Sequence, residues 1–115
     1  MFNDIFDETS GYKSMWLMVM FDLPVDTEDA RRDYTAFRKK LIKRGFIMLQ
    51  FSVYARFCTT EEASKVHRKY VRSVLPKNGQ VRLLAVTDRQ FGKMEVFVGK
   101  KSVEPEKQPE QLQFL

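Results

Sequence analysis

Few residues in this chain can do chemistry, and their scarcity narrows the options. There is one cysteine, Cys58, and one histidine, His67. An internal disulfide, a thiolate metal cluster and a multi-histidine metal site are therefore excluded. The acid that stands out is Asp22, which closes the apolar run Met15–Phe21 and precedes Leu23-Pro24. Such a carboxylate reads in two ways. It is a hard oxygen donor for Mg²⁺, the usual ion of phosphodiester chemistry, where it supports attack of water on phosphorus. Alternatively it caps the turn over Leu23–Val25.

The cations are more numerous than the acids, 20 against 15, a surplus of +5 that favours a polyanionic partner. Arg31, Arg32, Arg38, Lys39, Lys40, Lys43 and Arg44 stand against a single acid, Asp33, within residues 31–44. On a helix they form either a ridge that follows a nucleic-acid backbone or an ordinary solvated face. Lys65, Arg68, Lys69 and Arg72 extend the pattern, and Arg56 stands near a strand end. Ser52 and Tyr54 alternate with Gln50 and are either the lining of a polar site or ordinary strand residues. His67, between apolar helix positions, reads as a partly buried, satisfied histidine, and Cys58 as a small strand-end hydrophobe.

The elements that must position these groups follow from periodicity. Met15–Asp22 is an apolar run of strand length ended by Leu23-Pro24. Asp26-Thr27-Glu28-Asp29 is a helix start, Ala30, Tyr34, Phe37 and Leu41 keep helical spacing, and Gly45 is a C-terminal stop. This predicts a helix over 27–44. Residues 46–57 are aromatic and β-branched and too long for one strand, so two strands with a bend near Gln50–Ser52 are expected. Thr59 and Glu62 are spaced as a capping box for a second helix marked by Ala63, Val66, Tyr70 and Val74 and stopped by Pro76. Asn78-Gly79 predicts a turn, 80–88 a strand, Gln90-Phe91-Gly92 a short break, and 95–98 a further strand.

The order β-α-β-β-α-β predicts an α+β, ferredoxin-like fold: an antiparallel sheet with both helices on one face, plus short C-terminal strands. Residues 1–14 read as an N-terminal extension, 15–98 as the domain, and 99–115 as a linker with a last strand at 112–115. The acidic start MFNDIFDE lacks the positive region of a signal peptide, and no apolar run spans a bilayer. A cytoplasmic protein without membrane contact is the expectation.

Alternation puts Leu17, Val19 and Phe21 on one face of the first strand and Trp16, Met18, Met20 and Asp22 on the other. Helices cover only one face, so the second asks for a cover. A homodimer packed sheet to sheet supplies it, as does the N-terminal extension or the tail. In the dimer two copies of Asp22 approach, and a shared cation resolves their repulsion.

Arg44-Gly45-Phe46 through Phe51 partly matches an RNA-recognition motif, a binding module of the same fold. Met48 stands where that motif needs a stacking aromatic, and the segment sits one strand too early.

Three separated stretches, Met20-Phe21-Asp22-Leu23-Pro24, Arg44 to Tyr54 (RGFIMLQFSVY) and Val86-Thr87-Asp88-Arg89-Gln90-Phe91, resemble the small CRISPR-associated protein two family. The likeness is closest to the form found beside single-protein effector nucleases and covers roughly residues 15–98. It implies a ferredoxin-like homodimer whose terminal strand joins the partner's sheet, matching 111–115. It implies a dimer that bridges the CRISPR integrase, CRISPR-associated protein one, and binds protospacer duplex DNA during spacer acquisition. It further implies a Mg²⁺-dependent endonuclease on RNA or DNA, with Asp22 as metal-holding and catalytic residue. Arg31, Arg32, Arg38, Lys39, Lys43, Arg44 and Arg56 are the candidate nucleic-acid contacts. A toxin-like ribonuclease of the same fold is the alternative.

Overall fold

The computed structural model describes residues 13–109. Strand β1 is Met15–Asp22, helix α1 Glu28–Lys43, strand β2 Ile47–Gln50 and strand β3 Val53–Cys58. Helix α2 is Glu61–Ser73, strand β4 Gln80–Thr87, and a one-turn helix α3 Asp88–Gly92 follows at once. A hairpin of β5 (Val96–Val98) and β6 (Lys101–Val103) closes the described chain. The main sheet has the order β2-β3-β1-β4 with all neighbours antiparallel, the ferredoxin-like arrangement the sequence predicts.

Local chemistry fixes the helix ends. The Thr27 hydroxyl accepts from the Ala30 N–H and caps α1. At the other end Phe46 N–H donates to the Leu41 carbonyl and Gly45 takes φ +93°, a Schellman stop that only glycine adopts without strain. The cap of α2 is Thr60, whose hydroxyl accepts from Ala63 N–H, rather than the expected Thr59. Thr60 has the extended backbone a cap needs, and the first helical residue is Glu61.

The core lies between the helices and one sheet face. Met15, Leu17, Val19, Phe21, Tyr54 and Cys58 meet Phe37, Leu41, Phe46 and Val71 there. Val66, expected inside, is 57% exposed: Ser64 and Val71 take the buried side of α2.

The opposite face differs from expectation in one respect. The segment read as a break at Gln90–Gly92 is α3, held by a capping box between Thr87 and Gln90. It folds Phe91 onto Trp16, with ring centroids 4.2 Å apart and planes 11° from parallel, and the Trp16 indole N–H donates to Asp88 Oδ1 at 2.7 Å. Trp16 is thereby buried, with Ala55, Met18, Phe57 and Met94 around it. A piece of the same chain thus covers half of this face, the half at the Met15/Thr87 end. The half toward Asp22 keeps Leu84 and Ile47 open at 49% and 46% exposure.

The stretch 99–110, expected as a linker, contains β6. Gly99 at φ +61° turns the chain so that Val98 pairs with Lys101. The anticipated strand at 112–115 and the extension over 1–12 lie outside the described residues.

Candidate functional site

Asp22 ends β1, paired with Gln80 of β4. That register puts its side chain on the helix-free face, as alternation predicts, with Met20 opposite Arg82 two pairs inward. Asp22 is exposed, and its carboxylate has no hydrogen bond or salt bridge with another described residue. The turn-cap reading therefore gains no contact. Its backbone is held closely instead: Gly79 packs against the Asp22 carbonyl so tightly that a Cβ there would sit 2.6 Å from that oxygen. On the other side Phe21 N–H donates to the Ser52 carbonyl at 3.0 Å, tying β1 to the β2–β3 turn.

That turn brings an aromatic surface to the same end of the sheet, on its helix side. Ser52 takes φ +63°, and Phe51 stands 76% exposed with its ring stacked on Tyr34, centroids 5.9 Å apart. The Tyr34 and Ser52 hydroxyls lie 3.4 Å apart. An exposed ring backed by a second is a surface on which a nucleobase can stack. Sequence reasoning passed over Phe51 as a strand residue; an aromatic at a predicted bend was the available signal.

Ser52 is therefore at the Asp22 end of the sheet. Tyr54 is not with it: paired with Val19, it faces the helix core, 1% exposed, stacked against Phe21. Side-chain alternation across the β2–β3 bulge separates it from Gln50, which pairs with Val53. Tyr54 is a core residue and lines no open site.

The basic residues do not form one ridge. Arg32 bonds to Glu28 and Asp29, acids just upstream of the stretch taken as nearly acid-free. Arg31 donates to the Val25 carbonyl and sits over the loop that follows Asp22. Lys39 and Lys43 are exposed on the outer surface of α1, and Arg38 is half-buried. A shallow groove there is lined by Arg31, Arg32 and Lys39 but also by Glu28 and Asp33. Arg44 and Arg56 turn inward at the far end of α1, roughly 20 Å from Arg31 by helical rise. Arg56 donates to the Arg44 carbonyl and its own neighbour's, while Arg44 donates to His67 Nδ1 and lies over the Tyr70 ring. His67 is half-buried, as read, and bonded at Nδ1. Burial and the two guanidiniums push its pKa down to about 4, so the imidazole is neutral near pH 7.

Among the described residues no three histidine, cysteine or acidic side chains gather as a metal cage, and no helix is long and apolar enough to cross a membrane. Among the described residues Asp22 is a free carboxylate at a tightly held strand end, on the face whose adjoining half is uncovered and apolar.

The family described as CRISPR associated protein Cas2 matches residues 15–94. The CRISPR-associated endoribonuclease Cas2 of Flavobacterium psychrophilum is 44% identical over 114 residues, 99% of either chain. That of Parvibaculum lavamentivorans is 50% identical over 100 residues, 87% of this chain and 99% of its own. The Streptococcus mutans protein of the same name is 37% identical over 101 residues, 88% of this chain and 93% of its own.

Proposed function

The chain belongs to the CRISPR associated protein Cas2 family, and from that premise we propose that it is a metal-dependent endoribonuclease acting as a homodimer, with Asp22 of each copy at the reaction centre. The observation that carries this reading is the unpartnered Asp22 carboxylate on the uncovered half of the sheet. Apolar area left open by Leu84 and Ile47, with Met20 beside them, favours a second copy, at about 25 cal/mol per Å² buried. A two-fold axis there would bring two Asp22 side chains together.

The donor chemistry fits Mg²⁺: an exposed carboxylate oxygen, free of competing bonds, supplies half of a hard-oxygen site. When bound, the ion neutralises phosphate charge and activates water. The protein's own part is positional. Gly79 and the Phe21–Ser52 bond fix the Asp22 backbone, and Arg31 beside the adjoining loop attracts the phosphate chain. Cleavage of single-stranded RNA should need Mg²⁺ and vanish in Asp22→Asn, with melting temperature nearly unchanged because Asp22 is exposed and unpaired. Retained cleavage in that variant would sink the assignment. A monomer by sedimentation at micromolar concentration would sink the dimer.

A second reading, a DNA-bridging subunit that joins the CRISPR integrase in spacer acquisition, is favoured by Lys39 and Lys43, exposed on the outer face of α1. It predicts co-elution with the integrase and tighter duplex DNA binding by the mixture, both independent of Asp22→Asn.

A further inference from the structure

We propose that Arg44, Arg56 and His67 form a phosphate-binding site for nucleic acid, separate from Asp22. The identity of the ligand as nucleic acid rests on the reading above; the site itself does not.

Arg56 spends Nε–H on the Arg44 carbonyl at 2.9 Å and one Nη1 hydrogen on the Phe57 carbonyl at 2.8 Å. Arg44 spends Nε–H on His67 Nδ1 at 3.0 Å. A guanidinium has five N–H groups and no acceptor. The remaining hydrogens of both forks find no acceptor among the described residues, and neither arginine has a carboxylate partner there. His67, accepting at Nδ1 and neutral, must carry its proton on Nε2, which is a further donor. The cluster is thus made of donors and positive charge, with nothing of opposite kind to absorb them.

The geometry is held open and rigid. The Tyr70 ring lies 4.3 Å from the Arg44 guanidinium carbon. Gly45 leaves room for Arg56, since a Cβ at that position would stand 3.3 Å from Arg56 Nε. Arg56 and His67 line a cavity of about 270 Å³ with Cys58, Thr59 and Ala63. Burial pushes the Cys58 thiol pKa up, so the cavity gains no anionic thiolate. Planar guanidinium forks match phosphate oxygens.

The site lies at the opposite end of the sheet from Asp22. Arg56 pairs with Leu17, so five residues of β1 separate the two, about 17 Å at 3.4 Å per residue. That distance corresponds to a few nucleotides along a chain.

His67 is the only histidine, so its imidazole is a single, assignable NMR probe. Inorganic phosphate titrated into the full chain at constant ionic strength should shift that signal saturably and raise the His67 pKa, because an anion offsets the two arginines. Chloride should do neither. A short oligoribonucleotide should displace the phosphate. Arg56→Gln should weaken phosphate binding at least tenfold, and Arg44→Gln, which leaves the carbonyl contacts of Arg56 in place, should do the same if the first variant misfolds. Asp22→Asn should bind phosphate as the parent does, which separates this site from the cleavage centre. A response to phosphate no larger than to chloride, or failure of the oligoribonucleotide to compete, would overturn the proposal.

Discussion

Gly79→Ala should damage both the fold and the reaction centre, and the structure gives the size of the effect. Gly79 has φ +87°, and a Cβ there meets the Asp22 carbonyl oxygen at 2.6 Å and Leu23 Cδ2 at 2.7 Å. Gly99 has φ +61° but a Cβ there meets nothing within 4 Å. Left-handed backbone costs an alanine about 1–2 kcal/mol, and loss of unfolded-state freedom returns about 0.4–1 kcal/mol. Gly99→Ala should therefore lose about 1 kcal/mol. Gly79→Ala carries the same backbone cost plus an overlap with main chain, which cannot rotate away. Restoring ordinary contact moves the Asp22 backbone by roughly 0.8 Å, and overpacking of this kind costs about 1–3 kcal/mol. The total is about 2–4 kcal/mol, or about 8–16 °C in melting temperature, against about 4 °C for Gly99→Ala. Gly92→Ala, with neither a left-handed φ nor a neighbour, should be near neutral. Thermal unfolding of the three variants at one protein concentration is the assay, because association would make melting depend on concentration. RNA cleavage below the melting transition should fall by up to about 100-fold in Gly79→Ala alone, since displacement near 1 Å misplaces the carboxylate. Equal destabilisation by Gly79→Ala and Gly99→Ala would refute the contact argument. Full cleavage by folded Gly79→Ala would refute the link between this turn and Asp22.

Phe91→Ala should cost about 3–5 kcal/mol and shift fluorescence of the sole tryptophan, Trp16, to the red as α3 lifts away; an unchanged spectrum would mean α3 does not cover it. His67 gives stability a pH dependence with a definite sign. The unfolded side chain takes a proton below about pH 6.5, the folded one only below about 4, so stability is flat above pH 6.5 and falls as pH drops to about 4. Discounted for partial exposure the loss is roughly 1–2 kcal/mol, and His67→Gln should flatten that part of the denaturation profile. Cys58, buried with its thiol pKa raised, should resist alkylation in the native protein and react once denatured; rapid native labelling would contradict its placement.

What could be read from the sequence divides along physical lines. The strands and long helices were legible because burial periodicity and caps are local: Thr27, Gly45 and Pro24 announce their own roles. Asp22 was legible as a candidate because a charge ending an apolar strand stands out, although a local turn cap explains such a residue equally well from sequence. The short helix α3 was not, because Gln90-Phe91-Gly92 has no period to display; the Trp16–Phe91 stack and the Trp16–Asp88 bond that seat it join residues far apart in the chain. The inward placement of Arg44 and Arg56 was not legible either, for a related reason. On a helical wheel Arg44 belongs with the surface cations, but the Schellman stop at Gly45 releases its carbonyl to Arg56, and α2 presents His67 and Tyr70 to its side chain.

These non-local features also decide where a second copy can bind. A bare helix-free face would let two sheets slide on one another anywhere along their length. Because α3 occupies the Met15/Thr87 end, an apolar surface of sheet remains only beside Met20, Leu84 and Asp22. The proposed dimer contact is thus confined to the half that carries the carboxylate, and the cavity lined by Arg56 and His67 stays outside it on the helix side. Removing Phe91 should therefore do more than destabilise the monomer: freeing the covered half removes the positional restraint. Dimers of Phe91→Ala should become heterogeneous by native mass spectrometry with cross-linking, and lose cleavage more steeply than they lose association. A single cross-link pattern and parental activity in that variant would show that α3 plays no part in setting the register.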